Sequence, residues 1–234
     1  SVDLERSREI RRELRIAEGT KVLVSVCRLA KEKSVDDALR HFAKARPANT
    51  VFVLVGDGPS RDELEELVDH LGIRDIVRFA GFRPPEEVAD YYRMADLFVS
   101  ASLSETQGLT FIEAMACGVP LLCRKDDSLE GVILEGKTGY TYADSAQFAA
   151  RLADILEDDA LRARMAACAA ERAASVFSAE AFGRSAKEVY EKVLASVGTG
   201  RHRTPLSLKI STHREAAAAA PRPMTSNGEE RLAA

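Results

Sequence analysis

The sequence predicts an α/β protein built on a doubly wound parallel sheet, and two observations support this prediction. Short runs rich in Val, Leu and Phe alternate along the chain with longer amphipathic segments of helical period. The short runs are almost continuously apolar, which is typical of parallel strands whose two faces are both covered. We therefore expect one open sheet with helices packed on both of its faces.

The predicted elements alternate from Lys21 onwards. Strands and their following helices are expected at 21–27 and 34–45, 50–56 and 59–72, 75–81 and 84–95, 96–102 and 109–118, and 119–124 and 128–136, with a last strand at 138–142. Helical periodicity then predicts three segments, 145–157, 158–175 and 178–196, the last opened by Ser178. Residues 1–18 are expected to form a linker or first helix, and 197–234, without sustained apolar period, a disordered tail.

Charge and composition exclude several classes of protein. The formal net charge of −4 divides into about −7 for residues 1–196 and about +3 for 197–234, and so acidic a body disfavours nucleic-acid binding. No apolar run approaches the roughly 20 residues of a membrane span, and the charged N-terminal segment does not resemble a secretory signal, so we expect a cytoplasmic protein. The four cysteines form no CxxC pair and are expected to be reduced packing residues, with neither a metal nor a disulfide.

The loops that follow the strands are where ligands bind in an open parallel sheet. The predicted strands are followed by loops at 28–33, 56–59, 81–85 and 100–108, which carry glycines, two cations and a carboxylate. This set of groups suits a phosphorylated ligand.

Two carboxylates flank the N-terminus of a helix that is expected to start near Gln107 or Gly108: one precedes the helix and the other lies inside it. Backbone N–H groups at Gly108, Leu109 and Thr110 would form an anion site at the helix terminus, while Glu105 and Glu113 could each accept hydrogen bonds from adjacent sugar hydroxyls. This arrangement favours a nucleoside-diphosphate sugar. Apolar neighbours predict that Glu113 is buried, which would require a partner for its charge; the alternative is that Glu113 faces solvent and Glu105 only complements the helix dipole.

Arg28 and Lys33 follow the first strand and can neutralise a diphosphate without a metal, although a solvated charged loop is the alternative. Gly56 and Gly58 either let backbone approach the ligand or form a tight turn. No GxGxxG occurs in the chain, which excludes a dinucleotide-dependent dehydrogenase of the usual kind.

Other polar residues have simpler interpretations. Asp126 and Asp127 are expected to cap a helix near Ser128. The remaining candidates are expected to be inert surface histidines, His41 and His70, or packing tyrosines, Tyr91 and Tyr92.

These residues together resemble the donor-binding half of glycosyltransferase family 4, which has the two-domain GT-B fold. The resemblance covers about residues 1–195 and rests on motifs in the family's order: RLAKEK (28–33), VGDGP (55–59), FAGF (79–82), ETQGLT (105–110) with EAMACGVP (113–120), and EGKTG (135–139). It implies a Rossmann-like, nucleotide-sugar-binding domain at 19–196.

The resemblance also implies roles for the candidate residues. Arg28 and Lys33 would hold the diphosphate, Glu113 the ribose, and Glu105 with the 107–110 backbone the hexose and phosphate; Phe82 and Arg83 would contact the base, largely through backbone. It implies a retaining transfer in which the nucleoside diphosphate leaves and the acceptor attacks the same face, with no metal or other cofactor.

Within the family, SETQGLT and Arg124-Lys125-Asp126-Asp127 are most similar to bacterial enzymes that add glucose to diacylglycerol, which implies UDP-glucose as donor and peripheral contact with the inner face of the membrane. Cys27 and Gln107 depart from the family's frequent Gly and Phe. The first residues of the chain are similar to the linker that follows the N-terminal domain in this family. That N-terminal domain would bind the lipid or glycan acceptor. The alternatives are a non-catalytic fragment or split subunit that binds the nucleotide sugar, and a flavodoxin-type regulatory domain. The latter would end its first strand with an acidic pair, where this chain has Cys27 and Arg28.

Overall fold

Six parallel strands form one sheet in the computed structural model, which describes residues 2–102 and 108–198. The strands are β1 Lys21–Val26, β2 Thr50–Val55, β3 Val77–Gly81, β4 Leu97–Ser100, β5 Leu121–Arg124 and β6 Gly139–Tyr142. Their order is β3-β2-β1-β4-β5-β6, which confirms the doubly wound, Rossmann-like sheet. A flavodoxin-type sheet has the order 2-1-3-4-5, so that alternative is wrong. The order reverses between β1 and β4, which opens a crevice outside their carboxyl ends.

Helices cover both faces of this sheet. They are α1 Val2–Glu13, α2 Val35–Ala45, α3 Arg61–His70, α4 Pro85–Arg93, α5 Leu109–Ala116, α6 Ser145–Glu157 and α7 Asp159–Arg172; a further helix, α8 Ala179–Gly198, follows them along the chain. The first of two compact units ends at Glu188, and the second begins at Val189. Residues 199–234 lie outside the described residues, so the disordered tail and the domain boundary at 196 stay predictions.

Alternate residues of each strand enter two different cores. In β1, Val22 and Val24 belong to the core beneath α1, α4 and α5, whereas Leu23 belongs to the core beneath α2, α3 and α6. All three side chains are fully buried. This two-sided burial is why the strands read as continuous apolar runs.

The predicted helix over 128–136 is wrong. The segment contains a 3-10 turn, Asp127–Leu129, followed by turns in which Gly131 and Gly136 have left-handed φ angles of +74° and +71°. The periodic residues Leu129 and Ile133 are buried, so their spacing reflects packing of a looped segment and not a helix. Asp126 and Asp127 therefore have no α-helix to cap.

Two other sequence expectations meet different outcomes. Ser178 caps α8 as predicted, because its Oγ accepts a hydrogen bond of 3.2 Å from the Ala181 N–H. His41 is half-buried and so less exposed than expected: its Nδ1 lies 2.7 Å from Ser145 Oγ, and its ring contacts Tyr142 and Phe148. Burial lowers the pKa of this histidine.

Candidate functional site

Three adjoining hollows at the carboxyl ends of the strands form one groove, which we call the carboxyl-end cleft. The largest, about 440 Å³, lies between α4 and α5. The second, about 370 Å³, lies where the loops after β1 and β2 meet, and a small third hollow lies between β1 and β4. Val26 lines all three. The cleft brings together seven of the predicted site residues: Arg28, Lys33, Gly56, Phe82, Arg83, Thr110 and Glu113.

Gly56 and Gly58 allow the loops after β1 and β2 to touch backbone to backbone. A Cβ on Gly56, whose φ is +132°, would lie 1.9 Å from the carbonyl oxygen of Cys27, and one on Gly58 would lie 2.4 Å from that of Leu29. The Leu29 N–H donates to the Asp57 carbonyl over 3.0 Å. These contacts support the tight-turn interpretation, while direct ligand contact by the two glycines stays a prediction.

The two predicted cations occupy different parts of the cleft. Arg28 is exposed directly beyond β1 and lines the hollow shared with Gly56. Lys33 is half-buried at the end of a 3-10 turn, Lys31–Lys33, and lines the same small hollow as Ser102 and Thr110. The structure therefore brings Lys33 to the N-terminus of α5, a helix that follows β4 and begins only at Leu109.

The N-terminus of α5 has the features of an anion site. Gly108 is its N-cap residue, and the Phe111 and Ile112 N–H groups donate to the Gly108 carbonyl at 3.0 and 3.2 Å. The N–H groups of Leu109 and Thr110 belong to the first turn, where a helix has no preceding carbonyls to accept them. Together with the helix dipole they favour a phosphate. Glu105 and Gln107 lie outside the described residues.

Glu113 is exposed, so the prediction that its apolar neighbours bury it is wrong. Those neighbours occupy the other faces of α5, where Phe111, Ala114 and Met115 enter the core. The carboxylate instead lies on the rim of the largest hollow, where its Oε2 accepts a 3.1 Å hydrogen bond from the Tyr92 hydroxyl. The Glu113 carboxylate therefore has a hydrogen-bond partner, as expected, but the contact lies in the wall of the cleft and not within the core.

The loop after β3 presents Phe82 and Arg83 to the two larger hollows. The Phe82 side chain is 71% exposed, which is high for a large aromatic residue. Arg83 Nη2 donates to the Ala80 carbonyl over 3.0 Å, and the guanidinium carbon lies 5.4 Å from the centre of the Tyr91 ring. Its Nε is buried without a hydrogen-bond partner among the described residues.

Sequence reasoning missed three contributors to the cleft, one tyrosine and two cysteines. Tyr92 was expected only to pack, and it does, but its hydroxyl also reaches Glu113; no periodicity indicates the target of a hydroxyl group. Cys27 and Cys117 line the cleft and form no disulfide, and burial raises the pKa of Cys117, which keeps that thiol neutral. Within residues 2–102 and 108–198, no cluster of three or more His, Cys, Asp or Glu side chains is placed to hold a metal.

A parallel sheet of this order defines a Rossmann-like domain, and its likeness to solved structures assigns it to the GT-B fold. The family model for glycosyl transferases group 1 matches residues 6–172, and the chain belongs to this family.

Two curated relatives are about one-third identical to the chain over the residues that align. It is 33% identical over 172 residues to the alpha-monoglucosyldiacylglycerol synthase of Acholeplasma laidlawii, covering 72% of this chain and 43% of that protein. It is 32% identical over 196 residues to the N-acetyl-alpha-D-glucosaminyl L-malate synthase of Bacillus anthracis, covering 82% and 51%. The chain thus spans about half the length of these relatives or less.

A solved structure shares the fold. HepE of Anabaena, determined in complex with UDP, superposes with a TM-score of 0.71 at 24% identity, covering 80% of this chain and 53% of HepE. Across the described part of the chain, every helix is too short or too polar to cross a membrane.

Proposed function

We propose that this chain is the donor-binding half of a retaining glycosyltransferase, and that the carboxyl-end cleft binds a nucleoside-diphosphate hexose, UDP-glucose. One observation carries the proposal: the cleft joins Arg28 and Lys33 of the loop after β1 to the N-terminus and Glu113 of α5, two segments that are far apart in sequence. Cations and a helix terminus suit a diphosphate, and a carboxylate suits a sugar diol.

The proposed roles follow from the chemistry of these groups. Arg28 and Lys33 neutralise the diphosphate and stabilise the negative charge that grows on it as the bond to the sugar breaks. The N–H groups of Leu109 and Thr110 bind a phosphate oxygen, and Glu113 accepts the two ribose hydroxyls. The exposed Phe82 and the backbone beside Arg83 contact the base.

Retention is supported by the relatives' names. Both describe alpha-linked products, one a glucoside and one an N-acetylglucosaminide. The glucose of UDP-glucose is itself alpha-linked, so an alpha product means that the configuration at the anomeric carbon is kept.

The first test is whether the 234-residue chain binds UDP-glucose without a metal. We expect calorimetry to show binding that persists in EDTA, because no metal ion is needed, and that weakens as salt rises, because the phosphate charge meets the charged side chains of Arg28 and Lys33. Arg28→Ala and Lys33→Ala should each flatten this salt dependence.

Lys31→Ala is the matched control, since Lys31 lies on the same turn but is exposed and pairs with Glu63. We expect its salt dependence to equal that of the unchanged chain. An absolute need for Mg²⁺ or Mn²⁺ would contradict the proposal that Arg28 and Lys33 replace a metal.

We further propose diacylglycerol as the acceptor. The support is the Acholeplasma relative's name together with the SETQGLT and RKDD segments. We expect the full-length enzyme that carries this chain to transfer radiolabelled glucose from UDP-glucose into mixed micelles containing diacylglycerol, and not onto L-malate.

Transfer needs donor and acceptor held in near-attack geometry, a contribution of about 7 to 11 kcal/mol when orientation is good. We therefore expect the 234-residue chain alone to bind donor without transferring it at a useful rate. Robust transfer by the isolated chain would contradict this division of labour, and transfer to L-malate would contradict the choice of acceptor. A cytoplasmic location at the inner membrane face stays a prediction.

A further inference from the structure

Tyr92 forms part of the wall of the carboxyl-end cleft, with its hydroxyl directed at the carboxylate of Glu113. The residue is 1% exposed, and its hydroxyl donates to Glu113 Oε2 over 3.1 Å. Its ring packs beside Phe98 of β4, with ring centres 6.1 Å apart. The core therefore holds the ring in place while the hydroxyl reaches the cleft.

The Tyr92 hydroxyl is suited to act as a permanent donor. Burial, and then the Glu113 carboxylate, raise the pKa of this phenol above its ordinary value, so the proton stays on the oxygen. A neutral phenol donates one hydrogen bond, and a carboxylate can only accept. The direction of the hydrogen bond is thus set by chemistry.

Glu113 gains orientation from this contact. Its side chain is exposed on α5 and, without a partner, would sample several rotamers that must be given up when a ligand binds. A carboxylate offers about four acceptor sites. The Tyr92 hydroxyl occupies one acceptor site, on Oε2. The other sites, on Oε1 and Oε2, are left for two further donors, such as two adjacent hydroxyls.

We infer that Tyr92 is a positioning residue: it pre-orients the Glu113 carboxylate to accept both hydroxyls of a ribose. The Tyr92 hydroxyl then sets how strongly the cleft prefers a ribonucleotide to the same nucleotide without those hydroxyls. This inference rests on the proposed function, because it takes the ligand of Glu113 to be the ribose of a nucleoside diphosphate.

The test compares UDP with 2′,3′-dideoxy-UDP by calorimetry on the 234-residue chain and on Tyr92→Phe. We expect the unchanged chain to bind UDP about tenfold or more tightly than the dideoxy analogue. Tyr92→Phe should weaken UDP binding by about fivefold to tenfold and change binding of the analogue by less than about twofold. Equal weakening of UDP and dideoxy-UDP would show that the Tyr92 hydroxyl supports the cleft as a whole and does not act through Glu113.

Tyr91→Phe is the matched control. Tyr91 precedes Tyr92 in α4 and is equally buried, at 1% exposed, but its ring lies under the Arg83 guanidinium. We expect it to leave the preference for UDP unchanged. In a Glu113→Ala background, Tyr92→Phe should cause no further loss, because the group it orients is gone.

The outcomes separate the inference from the function on which it rests. Equal binding of UDP and dideoxy-UDP by the unchanged chain would show that the proposed ribose role of Glu113 is wrong. If the unchanged chain prefers UDP and Tyr92→Phe retains the whole preference, or loses affinity equally for both nucleotides, the positioning role is overturned while the proposed function stands.

Discussion

Gly56→Ala is expected to lower the free energy of unfolding by about 3 to 5 kcal/mol. The new Cβ would lie 1.9 Å from the Cys27 carbonyl oxygen, and the backbone φ of +132° is one that side-chain-bearing residues rarely adopt. The colliding atom is backbone in the loop after β1, so relief requires the two loops to separate. Urea denaturation followed by circular dichroism measures the loss.

Alanine substitutions at two other glycines distinguish the effect of the steric collision on stability from the effect of the backbone angle. Gly72 has a φ of +64° with open space around its Cβ position, so Gly72→Ala should cost only about 1 to 2 kcal/mol. Gly183 lies inside α8 with nothing near it, and Gly183→Ala should stabilise the helix by about 0.5 to 1 kcal/mol. A Gly56 variant no less stable than the Gly72 variant would show that the loops after β1 and β2 are not closely packed.

Glu113→Ala is expected to weaken the binding of UDP and UDP-glucose alike, by roughly tenfold to a hundredfold, through loss of a charged hydrogen-bond acceptor. Glu105→Ala is expected to weaken UDP-glucose binding but to leave UDP binding nearly unchanged, because the family resemblance implies that Glu105 holds the hexose. Calorimetry with both ligands on both variants checks the two assignments.

Glu171→Ala is the control for these two changes. Glu171 is an exposed glutamate near the end of α7, outside the residues that line the carboxyl-end cleft, and its removal should affect neither ligand. Equal weakening of UDP by the Glu105 and Glu113 variants would refute the assignment of Glu105 to the hexose. Unchanged UDP affinity in Glu113→Ala would refute the ribose assignment.

Local patterns were enough to predict most of the fold. The strands at Lys21–Val26 and Thr50–Val55 are apolar on both faces, and such runs have few alternatives to a parallel strand. The same reasoning failed at 128–136, because Leu129 and Ile133 are buried in a looped segment with the spacing of a helix. A periodic apolar pattern indicates which side chains are buried, and a buried side chain need not belong to a helix.

The candidate site, like the fold, could be predicted only in part from the sequence. Placing Arg28, Lys33 and Glu113 near the carboxyl ends of strands required only their positions in sequence, since those ends meet at one edge of a parallel sheet. The environment of Glu113 did not follow from its neighbours in sequence. Residues adjacent along a helix lie on different faces, so apolar residues beside Glu113 did not bury it.

The sequence alone established that this is an α/β chain, where its strands lie along the chain and which glycosyltransferase motifs it carries. These features depend on local periodicity and on spacing along the chain. Only the tertiary structure established the order of the strands within the sheet, the reversal between β1 and β4 and the Tyr92–Glu113 hydrogen bond. Each of these depends on which segments distant in sequence become neighbours. Packing of both sheet faces selects those neighbours, and no local pattern contains that information.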